Sequence, residues 1–95
     1  MIRLLVYDIS QNRTRSRLAR ELEAIGMMRI QKSVFLGNPR PKVLKDLLRR
    51  SRAELQEGDR LYCIPVTEAQ VEGLGEQGLT EDLDLILGRR HSLIL

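Results

Sequence analysis

The sequence predicts an α+β domain, a small sheet carrying both of its helices on one face. Three observations predict it. Two segments, 13–25 and 41–55, space their leucines and isoleucine at helical intervals. Short apolar or alternating runs stand before, between and after them. Polar or Gly/Pro-containing breaks separate these pieces. At 95 residues the chain is read as one domain, 1–95, with a thin but workable core.

Ile2 to Asp8 opens as a strand. Ile2, Leu4, Leu5, Val6 and Tyr7 are nearly continuous in apolar character, the mark of a strand buried on both faces. Asp8-Ile9-Ser10-Gln11-Asn12 turns the chain. Arg13 to Ile25 is a helix: Leu18, Leu22 and Ile25 fall at i, i+4 and i+7 beside Ala19, and Gly26 stands where a left-handed cap belongs. Met27 to Leu36 alternates as strand, either one long bent strand or a tight hairpin near Gln31-Lys32. Gly37-Asn38-Pro39-Arg40 breaks it.

Pro41, tolerated in a first turn, starts a second helix to Leu55 with Leu44, Leu47, Leu48 and Leu55 on its apolar face. Glu57-Gly58-Asp59 ends it, and Arg60 to Val66 is strand. Thr67-x-x-Gln70 has capping-box spacing for a short helical turn, before a loose segment through Gly73, Gly75 and Gly78. Ser92-Leu93-Ile94-Leu95 is strand-like and apolar, suited to docking on a sheet edge, its own or a partner's. The order is the ferredoxin-like split βαβ pattern, in full form a βαββαβ sandwich with an extra C-terminal strand.

The net charge of +3 hides an asymmetry. From Ser10 to Arg52 there are twelve basic and three acidic residues; from Leu61 onward, two basic and six acidic. Thirteen of the sixteen basic residues are arginine, whose planar guanidinium binds phosphate in a bidentate way. One cysteine, Cys63, excludes an internal disulfide framework and a multi-cysteine zinc site; one histidine, His91, excludes a multi-histidine metal site. No apolar run approaches the roughly 20 residues of a membrane span. The start lacks the pattern of a signal peptide, so the expectation is a reduced, cytoplasmic domain with no membrane partner.

Asp8, at the carboxyl end of the first strand, is the first candidate for chemistry. Ligand sites gather at such ends, and a carboxylate there can hold Mg²⁺. One carboxylate is too few, and a dimer would supply the second. The structural alternative is an aspartate that merely starts a turn. Arg13, Arg17 and Arg20, with Arg15 beside them, stripe the next helix near its N-terminus. Cations there oppose the helix dipole and call for an anion, phosphate above all, unless Glu21 and Glu23 serve as counter-charges. Lys42, Lys45, Arg49 and Arg52 form a second stripe that reads more simply as a solvated face. Cys63 reads as inert core and His91 as surface. Tyr7, Phe35 and Tyr62 are too few for base-stacking platforms, which favours contacts to the nucleic-acid backbone.

Leu5-Val6-Tyr7-Asp8-Ile9-Ser10, then Arg15-x-Arg17 on the following helix, then Arg29-Ile30-Gln31-Lys32-Ser33-Val34-Phe35-Leu36-Gly37 and Ile64-Pro65-Val66-Thr67 stand in a telling order. In these the chain resembles the CRISPR-associated adaptation family, its small second core subunit that works beside the integrase. The resemblance implies a ferredoxin-like homodimer in which Asp8 of each copy faces its twin, with one Mg²⁺ or Mn²⁺ shared between them. It implies metal-dependent endonuclease action on single-stranded RNA or duplex DNA, or a non-catalytic scaffold that holds duplex DNA for the integrase. It implies that the C-terminal strand, about 91–95, pairs with the partner's sheet. By the same resemblance Tyr7 and Asp8 are the catalytic candidates and Asp8 the metal ligand; Arg15, Arg17, Arg29 and Phe35 match positions of activity or substrate contact, joining Arg13 and Arg20. Gln11 and Asn12 stand where family members often carry acids, and nothing is carried over to Glu68–Asp84.

Three functions compete: a nuclease centred on Asp8, a scaffold laying basic stripes along duplex backbone, and a small metabolite-binding regulatory domain. The arginine excess and the lack of a Gly-rich loop weigh against the third.

Overall fold

The computed structural model of the protein describes residues 1–76. In chain order it holds β1 (Ile2–Asp8), α1 (Asn12–Ala24), β2 (Met28–Gln31), β3 (Val34–Gly37), α2 (Pro41–Arg52), β4 (Arg60–Val66) and α3 (Glu68–Glu76). The four strands form one sheet in the order β2-β3-β1-β4, every neighbour antiparallel. This is the α+β, ferredoxin-like order expected from the sequence. The tail strand at Ser92–Leu95, His91 and the stretch from residue 77 to Asp84 lie outside the described residues.

Alternation along β1 divides two cores. Leu5 and Tyr7 point to the helices, where they meet Leu18 and Leu22 of α1, Leu44, Leu47 and Leu48 of α2, and Phe35 of β3. Ile2 points the other way, to Leu36 and to Val71 of α3. This explains why β1 reads as apolar throughout: both faces are covered near its start. Leu4, Met28, Ile30 and Val66 surround the second cluster and are half-buried. Tyr62 and Ile64 of β4, cross-strand from Val6 and Leu4, are exposed at 53% and 43%.

The alternating segment 27–37 is a hairpin. β2 and β3 pair with a register shift between Arg29 and Gln31, so Ile30 is the extra residue of a bulge. No turn residue has positive φ, so the turn is neither of the types that best match strand twist. Arg29 secures it instead, donating from Nε and Nη2 to the Lys32 carbonyl at 3.1 and 2.7 Å. α1 ends in a Schellman motif around Gly26 (φ 93°): the Met27 amide donates to the Leu22 carbonyl, and the Gly26 amide to the Glu23 carbonyl, each at 3.0 Å.

The segment after β4 differs from the loose reading given to it. It is helical through Gly73 and Gly75. The capping box forms as its spacing predicts, the Thr67 amide donating to Gln70 Oε1 at 2.8 Å and the Gln70 amide to Thr67 Oγ1 at 3.1 Å. Val71, wholly buried, then fixes the helix on the second sheet face. Tertiary burial outweighs the helix penalty of glycine, about 1 kcal/mol each. No helix among the described residues is long and apolar enough to cross a membrane.

Candidate functional site

Asp8 ends β1 with an exposed side chain. The loop that follows is pinned from two sides. Arg15, one turn into α1, donates from Nη1 to the Ile9 carbonyl and from Nη2 to Asn12 Oδ1, both at 2.8 Å. Asp59, just before β4, accepts from the Ser10 amide on one oxygen and from the Gln56 amide on the other, both at 2.9 Å. These two hydrogen bonds hold the Asp59 carboxyl below the ordinary carboxylate range, and Arg60 adds to the effect. Arg60 is the cross-strand neighbour of Asp8.

Tyr7 lies beneath this edge, 3% exposed, its ring stacked on Phe35 with centroids 6.3 Å apart. The Arg29 guanidinium lies over the Phe35 ring, 5.5 Å from its centroid. The Tyr7 hydroxyl is buried and closes no hydrogen bond among the described residues. Burial pushes its pKa up; the nearby charges of Arg29 and Arg15 pull it partly back. The hydroxyl therefore stays protonated at neutral pH and can donate but not act as a base. Its amide donates to the Ser33 carbonyl at 3.1 Å, tying β1 to the hairpin tip.

The structure thus gathers Tyr7, Arg15, Arg29 and Phe35 around the end of β1, with Asp8 next in the chain. Phe35 has no exposed surface, so the direct substrate contact expected of it is not available; it lies in the core beneath the Arg29 guanidinium. Arg17 stands apart from this group: it is ion-paired with Glu54 and lies 3.9 Å from Glu21, which also reaches Arg50 at 3.8 Å. The counter-charge role foreseen for Glu21 is real there. Arg13 and Arg20 are exposed, and no ion pair is formed by either among the described residues.

The sequence reading missed Asp59, Arg60 and Glu54. Gly58 (φ 88°) marked the turn that sets Asp59, and pairing β4 antiparallel to β1 places Arg60 opposite Asp8. Nothing local marked Glu54. No group of three metal-ligating residues exists among the described residues. Asp59 at this edge has both oxygens engaged by backbone amides, which leaves Asp8 as the exposed carboxylate; alone it fits a water-rich Mg²⁺ poorly, and a second carboxylate would have to join it.

Fold and site together define a ferredoxin-like α+β domain with an exposed aspartate at one strand end, followed by a pinned loop. The chain belongs to the CRISPR associated protein Cas2 family, whose model matches residues 1–73. It is similar to CRISPR-associated endoribonuclease Cas2 2 of Pyrobaculum aerophilum, 45% identical over 47 residues, which are 50% of this chain and 52% of that protein. The chain thus spans about half the length of that relative. It is similar to CRISPR-associated endoribonuclease Cas2 1 of Archaeoglobus fulgidus, 37% identical over 70 residues, 72% of this chain and 73% of that one. A CRISPR-associated endonuclease Cas1/endonuclease Cas2 fusion of Thermoproteus tenax is 40% identical over 47 residues, 50% of this chain and 18% of the fusion. Among solved structures, a hypothetical protein from Thermus thermophilus superposes with a TM-score of 0.59 at 37% identity, covering 70% of this chain and 80% of that one.

Proposed function

We propose that the chain acts in CRISPR adaptation as a nucleic-acid-binding homodimer that serves the integrase and cleaves phosphodiester bonds where two Asp8 side chains meet. The observation that carries this reading is Asp8 itself: an exposed carboxylate at a strand end whose following loop is pinned by Arg15 and Asp59. Relatives named as endoribonucleases support hydrolysis, and the fusion with Cas1 supports the integrase as partner. The half-covered second sheet face, with Tyr62 and Ile64 exposed, supports pairing of two copies.

Asp8 of each copy would hold Mg²⁺ (or Mn²⁺), which would lower the pKa of a bound water and screen phosphate charge. The chain does the rest. Arg15 and Asp59 fix the loop, so Asp8 approaches at a set position. Arg29, held over Phe35 and fastened to Lys32, offers its charge to a backbone phosphate, and Arg13 and Arg20 extend the contact along α1. Tyr7 acts as a positioning residue, its neutral hydroxyl lying in the field of Arg29.

The test is labelled single-stranded RNA and duplex DNA, with Mg²⁺ or chelator, on the wild type and Asp8→Asn. Metal-dependent cleavage that disappears in Asp8→Asn, with binding kept, is the expected result. Duplex binding with no cleavage in either protein makes the chain a scaffold and reduces Asp8 to a turn residue. Absence of any binding returns it to the regulatory class.

A further inference from the structure

At the opposite end of β1 from Asp8, a cleft of about 300 Å³ opens between the sheet and α2. Its apolar side is built by Leu44, Leu48 and Pro41. Its other side carries three cationic side chains: Arg3 from β1, and Lys45 and Arg52, seven residues apart and so on one stripe of α2. Among the described residues no acid lines it, and none of the three cationic side chains forms an ion pair. Arg3 Nη1 is buried and has no hydrogen-bond partner among the described residues.

A buried guanidinium nitrogen without an acceptor is costly, and two further cations beside it make an anion the natural complement. Arginine binds phosphate oxygens through paired N–H groups, which gives the anion a geometry as well as a charge. The cleft is larger than a phosphate needs and matches the lower range of small-molecule pockets. Its leucine and proline side has no use for inorganic phosphate but suits a flat heterocycle. We infer that this cleft binds a nucleoside phosphate, with the phosphate on Arg3, Lys45 and Arg52 and the base on Leu44, Leu48 and Pro41. The phosphate arrives on a free nucleotide or on the terminal nucleotide of a strand. The site shares no residue with the Asp8 edge, so it stands or falls apart from the cleavage reading.

Cys63 lines the same cleft and is the sole cysteine of the chain, so it reports occupancy. The experiment measures the rate at which a thiol reagent labels Cys63 in the full chain at low ionic strength. The probes are a nucleoside 5′-monophosphate, the unphosphorylated nucleoside, inorganic phosphate, and a short oligonucleotide with and without a 5′-phosphate. Calorimetric titration of the same probes gives a readout independent of the thiol. Saturable slowing of labelling by about fivefold or more with the nucleotide, matched by heat of binding, is expected. Asp8→Asn and Arg50→Ala should keep it; Arg3→Gln and Arg52→Ala should each lose it. Slowing by the phosphorylated oligonucleotide alone assigns the site to a strand end, and slowing by the mononucleotide alone to a free nucleotide; either supports the site. No binding by any phosphate, equal effects of inorganic phosphate and nucleotide, or full protection in both Arg3→Gln and Arg52→Ala would overturn it.

Discussion

The buried hydroxyl of Tyr7 is the residue-scale feature with the clearest energetic consequence. Desolvation without a closed hydrogen bond destabilises the fold, so Tyr7→Phe should leave stability at neutral pH unchanged or raise it by up to about 1 kcal/mol. The folded chain also holds the phenol proton more tightly than the unfolded chain. That contribution is complete below pH 10.0 and is lost as pH rises through the higher folded value. Urea denaturation against pH should therefore show an alkaline decline that Tyr7→Phe flattens. Asp59 works with the opposite sign. Its folded carboxylate binds a proton more weakly, so its contribution is complete above pH 3.8 and is lost as pH falls through the lower folded value. Asp59→Ala should flatten that acid limb and raise amide hydrogen exchange at Ser10, whose donor loses its acceptor. Asp8 and Tyr7 at a strand end, and Arg13, Arg17 and Arg20 on one helical stripe, could be singled out as candidates from position alone, whereas Arg29 and Phe35 came only with the family resemblance. Asp59 and Glu54 were not, because each acts on a residue 37 to 49 positions away, and no local pattern encodes such a pairing.

Elements show the same division between local and tertiary signals. Both long helices, β1 and β4 follow from spacing alone, and so do the Gly26 cap and the Thr67 capping box. Gly26→Ala forces a Cβ into the left-handed region and should cost about 1–2 kcal/mol, read as a lower thermal midpoint. The hairpin was undecided because Lys32-Ser33 carries no glycine or asparagine; its turn is held by a side chain, Arg29, three residues back in the chain. The extent of α3 was misread because its glycines lower helix propensity, while the burial that overrides them depends on a sheet face known only once β1, β3 and β4 are paired. Val71→Ala removes that anchor. A cost of about 1–3 kcal/mol is expected, with hydrogen exchange rising first in residues 68–74 while α1 and α2 stay protected.

At the scale of the whole molecule, the charge asymmetry becomes a surface on which positive residues are unequal. Arg17, Arg49 and Arg50 are matched by Glu54, Asp46 and Glu21, whereas Arg13 and Arg20 have no ion pair among the described residues. A polyanion releases counterions for each phosphate neutralised, so the salt dependence of binding counts the cations that engage it. An arginine already paired must exchange one anion for another and contributes less. The logarithm of the duplex association constant should therefore fall linearly with the logarithm of salt concentration. Arg13→Ala and Arg20→Ala should each lower the magnitude of that slope by about 0.9, the value for one phosphate contact on duplex DNA. Arg17→Ala should change it by less than half as much, while freeing Glu54 to repel the phosphate and weakening binding at every salt concentration. Equal slope changes at Arg17 and Arg20 would mean that the Arg17–Glu54 pair opens on binding, and that α1 presents its whole stripe to nucleic acid.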